Sequence, residues 1–241
     1  MYYYILESPA NRSVRQTYQR LRDTLTNLGI AGEMVSASPA RTPEELAYMG
    51  LEKGYSTIVA VGGDHHINQV ATVVMSRAVL GIIPINASHQ VTELIGVEDL
   101  KTAAETLKFR RLTTVSTILA EPDLPIFLDS EILPPKMAKI SLVIDNKVRA
   151  FAYFNRAVIN RSLEITIEST HLTEPKKLLG LFTVGGNVLK SESLFHGRSM
   201  RIVTDPELPI LVAGQPVMKT PVHLRLLPES LKVITRRGTV S

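Results

Sequence analysis

Apolar residues in the first half of the chain fall into short β-rich runs separated by stretches with helical spacing. Tyr2–Leu6 is the first such run, and Ser13 with Gln16 then gives capping-box spacing for a helix running to Leu28, with Gly29 as its stop. Glu33–Ser36 predicts a second strand. Thr42-Pro43-Glu44-Glu45 supplies a cap, a first-turn proline and an N3 acid for a helix closed by Gly54. Thr57–Val61 and Val79–Ile85 are continuous apolar runs of the kind buried on both faces of a parallel sheet, with a helix expected between them from Ile67 to Ser76. Val91–Ile95 with Gly96 predicts a short helix, and Leu100–Leu107 another. Strand and helix signals that alternate in this way predict a parallel, doubly wound α/β domain over residues 1–112.

The texture changes near Arg110-Arg111. Lys139–Ile144, Val148–Val158, Leu163–Glu168, Met200–Thr204, Pro209–Val212, Val222–Leu226 and Leu231–Thr235 are β-branched and alternating, and Asp145-Asn146, Asp205-Pro206 and Gly214-Gln215 stand between them as turn signals. No helix is predicted here. The expectation for residues 113–241 is an antiparallel β-sandwich domain, its last strands candidates to return to the first domain. The fold class is α/β plus all-β, and the default ligand site of such a pair is the cleft between domains.

Composition narrows the function classes. A chain of 241 residues with 44% hydrophobic and 21% charged residues can bury a full core and lacks the signature of disorder. With no cysteine there is no disulfide, thiolate metal site or thiol nucleophile, which fits a reducing compartment and the expectation of a cytoplasmic protein. Met1–Glu7 lacks a basic leader and reads as a strand, and no apolar run approaches the ~18 residues of a membrane span. A net charge of +4 without a basic-aromatic cluster does not point to nucleic acid. Arg110-Arg111, Lys176-Lys177 and Arg198 with Arg201 are candidates for peripheral contact with anionic lipid, and a homodimer is compatible with the composition.

Chemistry concentrates in Ile58–Ala71. There an apolar strand ends in Gly62-Gly63-Asp64 and leads into a helix, the order used by turns that hold phosphate on free helix amides. His65 and His66 stand where a phosphate-wrapping loop favours Gly and a small hydroxyl residue, so their side chains are expected to bar the backbone from a phosphate. The bland alternatives are that Gly62-Gly63 is only a tight strand-to-helix turn and that Asp64 caps the following helix. His65, His66 and His89 are expected on two loops. A metal site built from them lacks helical His-x-x-x-His spacing, and none is assigned.

The ordered motifs resemble the diacylglycerol kinase catalytic domain, the related bacterial lipid kinases and sphingosine kinases, and the NAD kinase fold. Ser8-Pro9 follows the first strand where the family has Asn-Pro, and Gly62-Gly63-Asp64 with Asn68 and Val70 resembles Gly-Gly-Asp-Gly-Thr-x-Asn-Glu-Val. Leu80–Ile85 resembles the strand before the family's Gly-Thr-x-Asn-Asp loop, and Ala213-Gly214-Gln215 its Asp-Gly-Glu turn. The resemblance implies ATP and magnesium as cofactors and a lipid or nucleotide ligand. It implies nucleotide-binding positions at Ser8, Pro9, Gly62, Gly63, Asp64, His65, His66, Asn68, Asn86 and Ala87. It also implies catalytic positions at Asp64, Gln90 and Gln215.

Only Asp64 keeps the acid of its motif. Gln90 and Gln215 stand on the other two acids, Gln69 on the Glu after Asn68, Asn86-Ala87 on Gly-Thr, and His89 on an Asn. Glutamine keeps the hydrogen bonds of glutamate but carries no charge and takes no proton. Loss of a general base costs about 10²–10⁴ in rate, and loss of anionic ligands weakens magnesium. The expectation is a catalytically degenerate, pseudokinase-like protein that binds weakly, if at all, to magnesium nucleotide. The alternative is an active ATP-dependent lipid kinase with relocated acids.

Overall fold

A computed structural model of the chain describes residues 2–172, 177–178, 182–183 and 188–236. Its backbone divides into two compact units. The first comprises Met1–Thr117, Pro125–Leu128 and Leu227–Ser241, and the second Ile118–Leu124 and Asp129–Leu226.

The first unit alternates strand and helix: β1 (Tyr2–Leu6), α1 (Arg12–Asn27), β2 (Glu33–Ser36), α2 (Pro43–Glu52), β3 (Thr57–Gly62), α3 (Asp64–Val74), β4 (Val79–Pro84), α4 (His89–Ile95) and α5 (Leu100–Phe109). The strands lie parallel in the order β2-β1-β3-β4, with Leu6 beside Val61 and Gly62 beside Pro84. Every residue of β3 and β4 is buried, which is why both read as unbroken apolar runs. Helix α1 packs with α5 and α2 with α3. Helix α2 carries the reciprocal capping box that its sequence predicts: Thr42 Oγ1 accepts from the Glu45 amide at 3.2 Å, and Glu45 Oε2 from the Thr42 amide at 3.0 Å.

Two helix starts differ from expectation. The cap of α1 is Asn11, whose Oδ1 accepts from the Val14 amide at 3.0 Å, so Ser13 lies inside the helix. Helix α3 begins at Asp64 and not at Ile67, which moves His65 and His66 from a loop into its first turn.

The second unit is built from strands, and no helix occurs among its described residues. After β5 (Leu112–Ala120), which straddles the boundary of the units, come β6 (Leu124–Ile126), β7 (Ser130–Ile132), β8 (Ala138–Ile144), β9 (Val148–Phe154), β10 (Arg156–Ile159) and β11 (Glu164–Leu172). There follow the short β12 (Lys177–Leu178) and β13 (Phe182–Thr183), then β14 (Val188–His196), β15 (Ser199–Asp205), β16 (Pro209–Val212), β17 (Gln215–Lys219) and β18 (Val222–Ile234). One antiparallel layer joins the start of β18 to β15, β8 and β9, and the other runs β14-β11-β10-β7-β16-β17. Burial alternates along β8 and β15, with Ile140, Leu142, Met200 and Ile202 on the core side. The run predicted as one strand over Val148–Val158 breaks at Asn155, where the chain leaves the first layer and enters the second. The two runs predicted at the end form one strand, β18, whose residues from Leu227 onward belong to the first unit and lie parallel to β4. Among the described residues no helix is long and apolar enough to cross a membrane.

Candidate ligand site at the strand-to-helix turns

Parallel register brings the residues that follow β1, β3 and β4 to one edge of the first unit's sheet. Gly62 ends β3, Gly63 is the N-cap of α3 in an extended conformation, and Asp64 opens the helix. A Cβ at Gly62 would lie 2.6 Å from Glu7 Oε2, 2.7 Å from Glu7 Cβ and 3.1 Å from His66 Cδ2, so glycine is required for close packing. At Gly63 the nearest atoms to such a Cβ are 3.6 Å away, ordinary van der Waals contact.

The Gly63 amide is already engaged. Glu7 Oε2 accepts from it at 2.8 Å, across 56 positions of sequence. The backbone of Glu7 is fixed from both sides, its amide donating to Val61 and its carbonyl accepting from Tyr18 Oη at 2.8 Å. Burial first, and the Glu7 charge second, push the Tyr18 phenol up to about 12, so it stays a donor. A carboxylate therefore sits at the start of α3, where helix amides and the helix dipole favour an anion.

Asp64 joins the second turn to the first. Its Oδ1 accepts from the Ser88 amide at 2.7 Å, and Ser88 is the N-cap of α4. The reading of Asp64 as a cap of its own helix is thus corrected, because α3 has no side-chain cap bond and the carboxylate reaches the next loop. Asn86, at φ +56, and Ala87 lie between β4 and α4, and Gln90 sits half-buried in the first turn of α4. Ser8 and Pro9 follow Glu7, Ser8 exposed and Pro9 half-buried.

Two predicted positions, His66 and Asn68, are turned into the core. His66 is 2% exposed and its Nε2 lies 2.9 Å from the Ile5 carbonyl, so it packs against β1 and does not bar a phosphate path. His65, beside it, is exposed. Asn68 is 8% exposed, and its Oδ1 accepts from the amides of Phe127 and Leu128, both at 3.1 Å. Gln69 donates to Glu44 Oε1 on α2 at 2.7 Å. Gln215 belongs to the second unit. It opens β17 opposite Val212, after a two-residue turn in which Ala213 and Gly214 have φ of +50 and +75. His89 is exposed and lies 3.5 Å from Glu93. Of the basic pairs, Arg110 donates to Thr57 Oγ1 at 3.2 Å, while Lys176 and the Lys177 side chain lie outside the described residues.

Magnesium nucleotide does not fit these donors. The first amide of α3 is held by a carboxylate, Asp64 is partly engaged by Ser88, and Gln90 brings no charge. Among the described residues no three histidine, aspartate or glutamate side chains are grouped to hold a metal ion. Sequence reading missed Glu7. The signal for it is register: the residue after β1 must lie beside the Gly62 turn once Leu6 pairs with Val61.

Residues 5–120 match the family model described as diacylglycerol kinase catalytic domain. Comparison with curated proteins finds no match. A solved diacylglycerol kinase structure from Bacillus anthracis is similar to the chain at TM-score 0.70 and 13% identity, over 99% of this chain and 98% of that one. An NAD kinase from Archaeoglobus fulgidus in complex with ATP reaches TM-score 0.51 at 14% identity, over 98% and 94%. A yeast NADH kinase complexed with NADH reaches 0.58 at 8%, over 99% and 84%. At such identities the structures speak for the fold, whereas the family match covers the turns that follow β1, β3 and β4. Over its residues 5–120 the chain is similar to the diacylglycerol kinase catalytic-domain family.

Proposed function

We propose that this chain is a catalytically degenerate member of that family, which binds a ligand at the carboxyl edge of its first sheet and does not transfer phosphate. The observation that carries this reading is the Glu7 carboxylate on the Gly63 amide. A phosphate approaching the turn must displace a covalently tethered anion and then lie against its negative charge. The glutamines at 90 and 215 support the same reading, since neither supplies charge to a metal nor accepts a proton. A ligand suited to this edge is a hydrogen-bonding or cationic group, met by Glu7, Asp64, Asn86 and Gln90.

The second reading, an active ATP-dependent lipid kinase with relocated acids, has one observation on its side. Glu7 is an acid beside the turn that no family motif places there. Calorimetry with magnesium ATP and with inorganic phosphate separates the two. The wild type is expected to show no magnesium-dependent ATP affinity tighter than millimolar, and Glu7→Ala, which frees the Gly63 amide, to gain phosphate binding. Low-micromolar affinity in the wild type, or phosphorylation of diacylglycerol, sphingosine or NAD that Glu7→Gln abolishes, establishes the active kinase instead.

A further inference from the structure

Within the second unit a serine, a histidine and a glutamate form one hydrogen-bonded line. Ser199 Oγ lies 2.7 Å from His223 Nε2, and His223 Nδ1 lies 2.8 Å from Glu121 Oε1. The Glu121 amide donates to the His223 carbonyl at 2.9 Å, which fixes the acid beside the ring. A carboxylate only accepts hydrogen bonds, so it holds the ring proton on Nδ1 and leaves the Nε2 lone pair for the serine hydroxyl. Nucleophile, base and orienting acid thus stand in the order that serine acyl transfer uses. The line is open to substrate: the side chains of His223 and Glu121 are 35% and 52% exposed.

Register sets what surrounds it. Ser199 pairs with Arg225, and Arg201 with His223, so these four side chains share the outer face of the layer, while Met200 and Leu224 are buried on the other. Further along the same face Val203 pairs with Ser141, which pairs with Phe151, and Phe151 is 77% exposed. Arg201 and Arg225 therefore stand beside the serine, and an apolar strip begins about 13 Å further along the same face.

We propose that Ser199, His223 and Glu121 form an esterase site on the second unit. Its substrate is a carboxylic ester whose anionic head meets Arg201 and whose acyl part runs along the face toward Val203 and Phe151. Ser199 Oγ bonds to the ester carbonyl carbon while His223 Nε2 takes its proton, and the alkoxide leaves with that proton. Water, deprotonated by His223, then attacks the acyl-serine, and the serine leaves with the proton, releasing the acid. The amides of Arg198 and Ser199 both donate to Asp145 Oδ1, at 2.9 and 2.8 Å, so the intermediate's negative oxygen relies on a guanidinium, with Arg225 directly across from the nucleophile. Solvated side chains stabilise that charge less than fixed amides do, which confines the site to esters and leaves amides untouched.

The test treats the full chain with a fluorophosphonate probe and locates the adduct by peptide mass mapping, alongside hydrolysis of p-nitrophenyl butyrate. One adduct on Ser199 is expected, absent in Ser199→Ala. His223→Gln should slow labelling by about 10²-fold or more, the scale of a lost general base. Glu121→Gln should slow labelling without moving its site, while the circular dichroism of each variant stays that of the wild type. No adduct on the wild type, an adduct that survives Ser199→Ala, or labelling indifferent to His223 overturns the proposal. None of these outcomes depends on the first unit's ligand site.

Discussion

His66 shows how one side chain can be settled by burial two residues from Asp64, whose carboxylate reaches the next loop. Its Nε2–H donates to the Ile5 carbonyl at 2.9 Å, and its Nδ1 is buried without a partner. Burial pushes its pKa down, against weaker upward pulls from the Ile5 carbonyl and from Glu7 and Glu44. A histidine depressed in the fold contributes stability that is complete above its unfolded value, about 6.5, and is lost as pH falls toward the folded value. Thermal melts from pH 7 to 5 should therefore fall more steeply for the wild type than for His66→Gln. Parallel slopes would show that His66 does not carry this dependence. The buried ring also changes any attempt to rebuild a kinase motif: threonine at 66 would open a hole in the core, and the obstruction to remove is Glu7.

At the scale of elements, the turn between β16 and β17 shows what a tight hairpin asks of its two central residues. Ala213 and Gly214 both have positive φ, the signature of a type I′ hairpin turn, for which Asn-Gly and Asp-Gly are preferred. An L-residue with a Cβ is strained there by about 1–2 kcal/mol, and asparagine is strained less. Ala213→Asn should stabilise the second unit by about 0.5–1 kcal/mol, read as a higher denaturation midpoint with an unchanged slope; a lower midpoint would contradict this account.

The same scale explains what the sequence revealed. Thr42-Pro43-Glu44-Glu45 was legible because its capping bonds close within four residues. The start of α3 was not, because α3 has no side-chain cap of its own and the Gly63 amide is satisfied by Glu7, the residue after β1. Asn11 won over Ser13 because its oxygen reaches the third amide ahead, which spacing alone did not decide. Asn155 was passed over inside an alternating run, although its Oδ1 accepts from the Thr170 amide at 2.6 Å as the chain changes layers. The Ser199–His223–Glu121 line left no sequence signal, since its members come from three separate stretches.

The whole molecule depends on segments that return. The first unit is completed by Pro125–Leu128 and by the chain from Leu227 onward, and the earlier return is tied down by Asn68 of α3. Asn68 Oδ1 accepts from both the Phe127 and Leu128 amides, whose side chains are 1% and 2% exposed. Removing that oxygen leaves two buried donors without partners, each costing about 1–3 kcal/mol. Asn68→Ala should therefore lower stability by at least about 2 kcal/mol on the same scale. Hydrogen exchange localises the effect, because the Phe127 and Leu128 amides should lose protection while the β8–β9 ladder of the second unit keeps its own. If those two amides stay as protected as in the wild type, Asn68 is not what holds the segment. If they alone are released, Asn68 is the tie that holds Phe127 and Leu128 to α3.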